Sequence, residues 1–554
     1  MGLRSIVLLS LLLLMGLGIR FYRLGFTDTR SDEVALLIPP LASYTPAEHI
    51  RCDWQTFKET RIMPVPRMTV GAFITTFKLE ANRFNVRFVY ALLGGLTVGA
   101  LFLLGRAFGD GRLAWLLAFF GAINPFSIYY SRQAHVYAFP IFFNTLAAAF
   151  GVLVLRALAA GRAPRARDLV LFTAAAILAC HTHMSSWPLM GLLWLVIAGM
   201  AWRAWRRHPE QVLWIGCAVA SGVWLLALVP WIYMFISAFF TAQESFLTGG
   251  DNPIMTLLAK WRTPFVMTWG GGWPRALVSL GLLLSGIGLG LRSRRWRYIV
   301  LIALGLFCIL AAILSLMMGL ARQFFNMRYY TPLWLILIFL STLGVLLLAD
   351  WLARFLPARA RQLPLLALVA LVAGLMWQPI SWLLTLPGNP VPYTMANRWM
   401  DAHLPPGAPV VVDRWLQPWN EMLHNAPTSV VATFTIPNEP QELLLQYNWT
   451  QTVQDFMRKY PEAAYLEVCF KSPYGLEAWE WPRHFFHQQV EFRNEPGLKL
   501  RQVLLSPEES FYQWNSNALI ITLHYNTRED VLAMAAAEKA RHQLFYGPGW
   551  GYVK

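Results

Sequence analysis

The feature that most constrains this chain is a recurring one. Runs of about 20 apolar residues appear along most of its length, each long enough to cross a hydrocarbon layer of about 30 Å. Eleven such runs can be read, with cores at 6–24, 88–104, 113–129, 139–158, 169–181, 184–202, 212–239, 277–291, 298–318, 329–348 and 363–386. Hydrophobic residues make up 56% of the 554 and charged residues only 14%, and the mean hydropathy is +0.43. A soluble domain carries roughly a quarter charged residues. The expected fold class is therefore a polytopic α-helical membrane protein with about 11 transmembrane helices. The opening "MGLRSIVLLSLLLLMGLGIRFYRLG" has the basic start and short apolar core of a signal peptide. It lacks a small-x-small cleavage site, and Arg20 and Arg23 follow the run directly, so it reads as an uncleaved first span.

The net charge of +16 would suit a nucleic-acid binder. The positions of the charges argue otherwise. Alternate connections read "GRAFGDGR", "RALAAGRAPRARD", "RAWRRHPE", "LRSRRWR" and "DWLARFLPARARQ". Short arginine-rich loops of this kind mark the cytoplasmic side. The N-terminus is expected inside, and an odd span count puts the C-terminus outside. Residues 1–386 form the membrane domain, with 25–87 as a long first outer loop, and 387–554 read as an extracytoplasmic α/β domain. The strand signals there are "APVVVDR", "TSVVATF", "AAYLEVCF", "KLRQVLLS" and "NALIITLHY". In the first loop Ile50, Trp54 and Phe57 share one helical face, which suits a helix lying in the membrane interface. Of the five cysteines, Cys180, Cys217 and Cys308 fall in apolar runs as packing residues. Cys52 and Cys469 fall in outer regions, where spacing alone fixes no pairing.

Chemistry-bearing residues gather in the outer connections. Asp32 and Glu33 stand side by side in "TDTRSDEVALLIPP". Two readings stand for them: the first turn of a capped helix, or a carboxylate presented at the membrane surface for catalysis. Arg30, Arg61, Arg67 and Arg87 belong to a basic cluster around the first outer loop, where the orientation rule disfavours them. Any one of them reads as snorkelling to the interface. As a group they point to an outer-leaflet phosphate, which guanidinium groups bind through paired, charge-assisted bonds. "RQFFNMRYYTP" adds Arg328 and Tyr329, and "NPFSIYYSRQAHVYAFP" adds Arg132, His135 and Tyr137. "CHTHMSSW" contributes His181 and His183, two histidines without a third ligand nearby in sequence, so no metal site is assigned.

At these residues the sequence resembles the GT-C-fold glycosyltransferases, in the branch of protein O-mannosyltransferases and bacterial lipid A aminoarabinose transferases. The likeness spans roughly the first two-thirds of the chain. It rests on the acidic pair Asp32-Glu33, the stretch "RIMPVPRM", the run "RFNVRFVYALLGGLTVGALFLLGRAFGDGRLAWLLAFFGAINP", its continuation "YYSRQAHVY", "THM" at 182–184 and "RYYTP" at 328–332. Two features depart from the pattern. The first-loop proline pair is interrupted as Pro64-Val65-Pro66, and Gln133 and His135 stand where many relatives have an acid and an arginine, so no second acid is assigned there.

The resemblance implies a sugar donor carried on a polyprenyl phosphate, an active site on the outer face of an inner membrane, inversion at the anomeric carbon, and a glycan, lipid or protein acceptor that the sequence does not identify. Relatives differ over metal use, and the sequence assigns no cofactor. On this reading Asp32 is the general base and Glu33 orients the acceptor or tunes Asp32. Arg30, Arg61, Arg67, Arg87 and Arg328 hold the donor phosphate, and Arg132, His135, Tyr137, His183 and Tyr329 line the substrate pocket. Three other readings share many of these features: an oligosaccharide ligase using a polyprenyl-diphosphate donor, a transporter of lipid-linked sugars, and a binding-only relative. A transporter predicts repeated halves and ionisable groups at mid-membrane, and neither is read here.

Overall fold

The structure is a computed structural model that describes residues 2–25, 45, 47–48, 51, 65–80, 82–207, 213–241, 273–320 and 330–385, together with five strands between 410 and 525. The helices are α1 (Leu3–Phe21), α2 (Val65–Thr76), α3 (Arg83–Ala107), α4 (Gly111–Ile123), α5 (Pro125–Ser131), α6 (Ala138–Ala159), α7 (Ala166–Thr182), α8 (Ser186–Arg207), α9 (Leu213–Thr241), α10 (Trp273–Arg292), α11 (Arg297–Leu320), α12 (Thr331–Ala353) and α13 (Leu363–Thr385).

Each of the eleven apolar runs falls on one of these helices or, in one case, on a pair. Among the described residues eight helices are long and apolar enough to cross a membrane, and nine if the bent pair α4–α5 counts as one span. The chain is a multi-pass α-helical membrane protein.

Local sequence explains where several helices begin. Asn82 caps α3 by accepting from Asn85 N at 3.0 Å, and Asp110 caps α4 by accepting from Leu113 N at 3.0 Å. The run expected at 113–129 is not one straight span. It breaks at Asn124-Pro125 and bends by 53°. Proline there lacks the N–H that would continue the ladder of α4. It sits instead at the first position of α5, where Asn124 caps the new helix by accepting from Ser127 N at 2.9 Å.

Two helices organise the bundle. α3 packs against α1, α4 and α6, and α12 packs against α10, α4, α6, α11 and α13. α12 is apolar on all sides and is buried along almost its whole length, as an all-round hydrophobic helix must be when proteins rather than lipids surround it. α10 and α12 approach until their backbones touch. A Cβ added at Gly344 would lie 1.9 Å from Leu282 O, and one at Gly286 would lie 2.1 Å from Leu340 O. Small residues that let backbones close are the usual means of joining helices in lipid, where burial against another helix brings no hydrophobic gain.

The arginine-rich end of the bundle is tied by ion pairs, one exposed and one with a buried acid. Arg112 donates two parallel bonds to Asp350, at 2.8 and 2.9 Å. Arg295 pairs with Asp110 at 3.2 Å and donates to Gly109 O at 3.1 Å. Arg156 donates to Ala107 O at 2.5 Å. Part of the basic excess in these loops therefore has a local structural use.

Later in the chain come β1 (Val410–Asp413), β2 (Val431–Phe434), β3 (Ala464–Lys471), β4 (Lys499–Val503) and β5 (Ala518–Tyr525), one in each of the five stretches with strand signals. They form a mixed sheet of order β2-β1-β3-β5-β4. β1 runs parallel to β2 and β3, while β5 is antiparallel to β3 and β4.

Replacing Gly344 tests the α10–α12 crossing. Gly344→Ala should cost about 1–3 kcal/mol by overpacking and lower the thermal midpoint in detergent. Gly374→Ala, where an added Cβ meets nothing within 4 Å, should leave the midpoint unchanged or slightly raised. Equal midpoints for the two variants would disprove the close crossing.

Candidate functional site

The ends of α1, α3, α5, α7 and α12 meet opposite the arginine-rich loops. The break between α4 and α5 brings them together. The last turn of a helix leaves carbonyls without intrahelical partners and carries the negative end of its dipole. Two buried arginines satisfy two such ends. Arg20, in the last turn of α1, is fully buried and donates to Gly16 O at 2.9 Å, Ala122 O at 3.1 Å, Gly121 O at 3.1 Å and Ser127 Oγ at 2.9 Å. It thereby holds both sides of the α4–α5 break. Arg132, just beyond α5, returns the contact. Its Nη1 donates to Ile19 O at 2.9 Å and Tyr22 O at 2.7 Å, around the end of α1.

A third arginine closes the group. Arg87, in the second turn of α3, is buried and donates through Nη1 to Leu24 O at 2.9 Å. The Arg132 guanidinium is pushed down to about 10, first by burial and then by the like charge of Arg87, with Tyr22 opposing. It stays cationic at neutral pH. Its Nη2 is buried and has no protein partner among the described residues. Arg20 Nε is likewise buried without a partner among the described residues. The arrangement is a set of cations at the end of a helical bundle with donors left over, and it suits an anion with several acceptor oxygens.

Glycine permits this packing. A Cβ at Gly94 of α3 would lie 2.2 Å from Ser131 Cβ and 2.8 Å from Arg20 Nε. α2, which carries Arg67 in its first turn, is fixed to the same end by aromatic contacts. Phe73 of α2 stacks on Phe88 of α3 at 5.1 Å and 7°, and Phe88 meets Phe21 of α1 edge-on at 5.1 Å.

A ladder of rings runs from this cluster across the bundle end. Trp334 of α12 stacks on Phe126 at 6.3 Å, Phe126 meets Tyr130 at 4.8 Å, and Tyr130 meets Tyr137 at 5.1 Å. Tyr137 then contacts His135 at 4.5 Å and His183 at 4.9 Å. Trp334 Nε1 donates to Asn124 Oδ1 at 3.0 Å, so the residue that caps α5 also ties α12 to the break. The His183 ring is oriented by its neighbour. Ser185 N donates to His183 Nδ1 at 3.1 Å, which assigns the proton of the neutral ring to Nε2. Tyr330, at the start of α12, shares a hydrogen bond with Ser315 at 3.0 Å.

The structure therefore brings together five residues read from the sequence: Arg87, Arg132, His135, Tyr137 and His183. Arg67 is placed on α2, half-buried. Arg30, Asp32, Glu33, Arg61, Arg328 and Tyr329 lie outside the described residues, as do Cys52 and the side chain of Cys469. Cys180 and Cys217 are buried as packing residues, while Cys308 is exposed on α11. Sequence reasoning counted Arg20 only as one more basic residue near the first loop. It did not single out Asn124, Phe126, Tyr130 or Trp334. The one local signal for them was Asn-Pro inside an apolar run, a turn-forming pair. Among the described residues no three histidine, cysteine or acidic side chains are grouped as metal ligands.

No protein-family model and no curated protein sequence matches the chain. Solved structures do. ArnT from Cupriavidus metallidurans in the apo state aligns at a TM-score of 0.50 with 14% identity, over 95% of this chain and 98% of that one. The same protein bound to undecaprenyl phosphate aligns at 0.51 with 14% identity, over 94% and 98%. The chain has the GT-C fold. The archaeal oligosaccharyltransferase AglB from Archaeoglobus fulgidus, in complex with an inhibitory peptide and a dolichol-phosphate, aligns at 0.48 with 12% identity, over 84% of this chain and 69% of that one.

Arg20→Met keeps much of the side-chain volume and removes every donor. It leaves the carbonyls of Gly121 and Ala122 buried without Arg20, so the loss of stability should be at least about 2 kcal/mol, since each such group costs roughly 1–3 kcal/mol. Chemical unfolding in detergent, followed by tryptophan fluorescence, would measure it. A wild-type midpoint for Arg20→Met would mean that the arginine does not hold the break.

Proposed function

We propose that the chain is an inverting glycosyltransferase that moves a sugar from a polyprenyl-phosphate donor to an acceptor at the outer face of the membrane. The observation that carries this reading is the group of Arg20, Arg87 and Arg132 at one end of a GT-C bundle. Two of the three serve helix-end carbonyls, and Arg132 keeps one buried donor unengaged among the described residues. The ArnT structure bound to undecaprenyl phosphate supports a lipid phosphate as the anion. So do the apolar helices around the site, which would keep a polyprenyl tail out of water.

In the proposed reaction the acceptor hydroxyl oxygen attacks the anomeric carbon as its proton passes to Asp32. The bond from that carbon to the phosphate oxygen breaks, and the polyprenyl phosphate leaves with the electron pair. Arg87 and Arg132, with Arg67 of α2 and with Arg30, Arg61 and Arg328, stabilise the charge that develops on the departing phosphate. Glu33 orients the acceptor or tunes Asp32. His135, Tyr137, His183 and Tyr329 line the sugar pocket, where His183 presents an Nε2–H donor. No metal is assigned a step. The site faces the outer side of a prokaryotic inner membrane, with eleven spans, a cytoplasmic N-terminus and residues 387–554 as an extracytoplasmic α/β domain.

Mass spectrometry of the lipid that co-purifies in detergent tests the donor. Wild type and Asp32→Asn should retain a polyprenyl phosphate bearing one sugar, and Arg132→Gln should lose it. A diphosphate-linked oligosaccharide would replace this reading with a ligase, and the absence of any polyprenyl lipid would overturn the phosphate assignment. Once the donor is known, Asp32→Asn should slow single-turnover transfer by ~10²–10⁴, the usual contribution of a positioned base. Near-wild-type transfer would remove Asp32 from the mechanism.

A further inference from the structure

A second feature lies at the other end of the bundle, away from the site. The last turns of α8 and the first turns of α9 leave a groove of about 280 Å³ lined by Ala198, Ala201, Trp202, Trp205, Cys217 and Ser221. The lining is made of small side chains and two indoles whose ring centroids are 4.7 Å apart. Trp202 is more than half exposed, at 54%.

Charge surrounds the mouth. Arg203, Arg206 and Arg207 are exposed on the last turn of α8, and the Arg206 guanidinium sits over the Trp202 ring at 5.3 Å. α7 packs against α9, and its N-cap Arg165 and first-turn Arg167, both exposed, lie at the same end. The one described acid there, Asp168, is nearly buried and is paired with Arg167 at 3.2 Å. Glu210 follows in the sequence, outside the described residues. In both sequence and structure this is the arginine-rich side of the membrane.

We propose that this groove is a binding site for an anionic glycerophospholipid. One acyl chain occupies the apolar groove, and the phosphodiester headgroup lies against the arginines at its mouth. Three properties select this occupant. An apolar slot flanked by tryptophan sits where indoles favour the boundary between hydrocarbon and headgroups. Basic pockets between transmembrane helices on the cytoplasmic side take anionic headgroups. A zwitterionic lipid would place its own cation among at least four exposed guanidiniums and gain less. The site is separate from the proposed donor site, and the proposal stands whichever reaction the enzyme carries out.

Native mass spectrometry of the purified full chain, titrated with phosphatidylglycerol or with phosphatidylcholine of the same acyl chains, tests it. Wild type should retain phosphatidylglycerol over phosphatidylcholine. Each arginine replaced in Arg203→Gln/Arg206→Gln/Arg207→Gln should cut that preference roughly fivefold, the effect of one basic residue near an anionic surface. Ser221→Phe, which fills the groove and leaves the arginines, should lower retention of both lipids. These arginines are exposed, and a melting curve like that of wild type would show the variant to be folded. Equal retention of the two lipids by wild type, or an unchanged preference in the arginine variant, would overturn the proposal. Unchanged retention in Ser221→Phe would place the acyl chain elsewhere and overturn it as well.

Discussion

Everything at the site end depends on buried guanidiniums bonding to main-chain carbonyls. Inside a bilayer no water is available to satisfy the open end of a helix, so each exposed carbonyl there is costly. α4 ends within the bundle, at Ile123, and not at a surface. Arg20 supplies donors to Gly121 O and Ala122 O, and Asn124 supplies an acceptor to the N–H of Ser127 in the first turn of α5. With both sides of the break satisfied, the chain turns by 53° and still forms a packed core. That turn carries Arg132, His135 and Tyr137 to the bundle end.

The same arrangement stores an electrostatic imbalance. Carbonyl dipoles satisfy some of the N–H groups of these arginines, not Arg132 Nη2, and do not neutralise the charges. Burial and the charge of Arg87 both push Arg132 towards its neutral form, down to about 10, and it still remains charged at neutral pH. An anion beside it would relieve both terms together, because it restores the lost solvation and cancels the repulsion. The proposed donor phosphate is such an anion. On this view the helix contacts preorganise the cations, and the substrate supplies the charge that the fold leaves out. Preorganised charge of this kind needs no rearrangement during the reaction.

The apolar runs carried most of the membrane architecture in plain sight. Burying or lipid-facing an apolar stretch of that length leaves few alternatives to a helix, so every one of the eleven runs lies on helix. The break at Asn124-Pro125 was missed because hydropathy sums over a window, and both residues are small perturbations in an otherwise apolar run. Arg20 was missed for a different reason. At the end of an apolar run an arginine reads as a snorkelling anchor, and it becomes a buried staple only because Gly94, on another helix, leaves room for it. Such a pairing across more than seventy residues has no signature along the chain. Arg87, Arg132, His135, Tyr137 and His183 were legible because charged and aromatic residues are conspicuous beside apolar spans. Their mutual contacts were not, since these depend on the bend.

The two ends of the bundle use arginine under opposite physical conditions. At the site, Arg20 and Arg87 are buried, and their bonds to carbonyls are shielded from mobile ions. At the other end, Arg112–Asp350 joins side chains that are 57% and 40% exposed. A pair like that contributes about 0–1 kcal/mol and weakens further as salt screens it. The ion pairs there trim the fit of α4 against α12, while the deep contacts decide whether the helices meet at all. Positive charge is thus cheap to place at the arginine-rich end, where the side chains stay exposed. It is expensive at the site, where the chain nonetheless keeps three buried cations at one point. An expensive arrangement, next to a cheap one made from the same residue type, is what supports reading the site end as the proposed anion site and not as a topology signal.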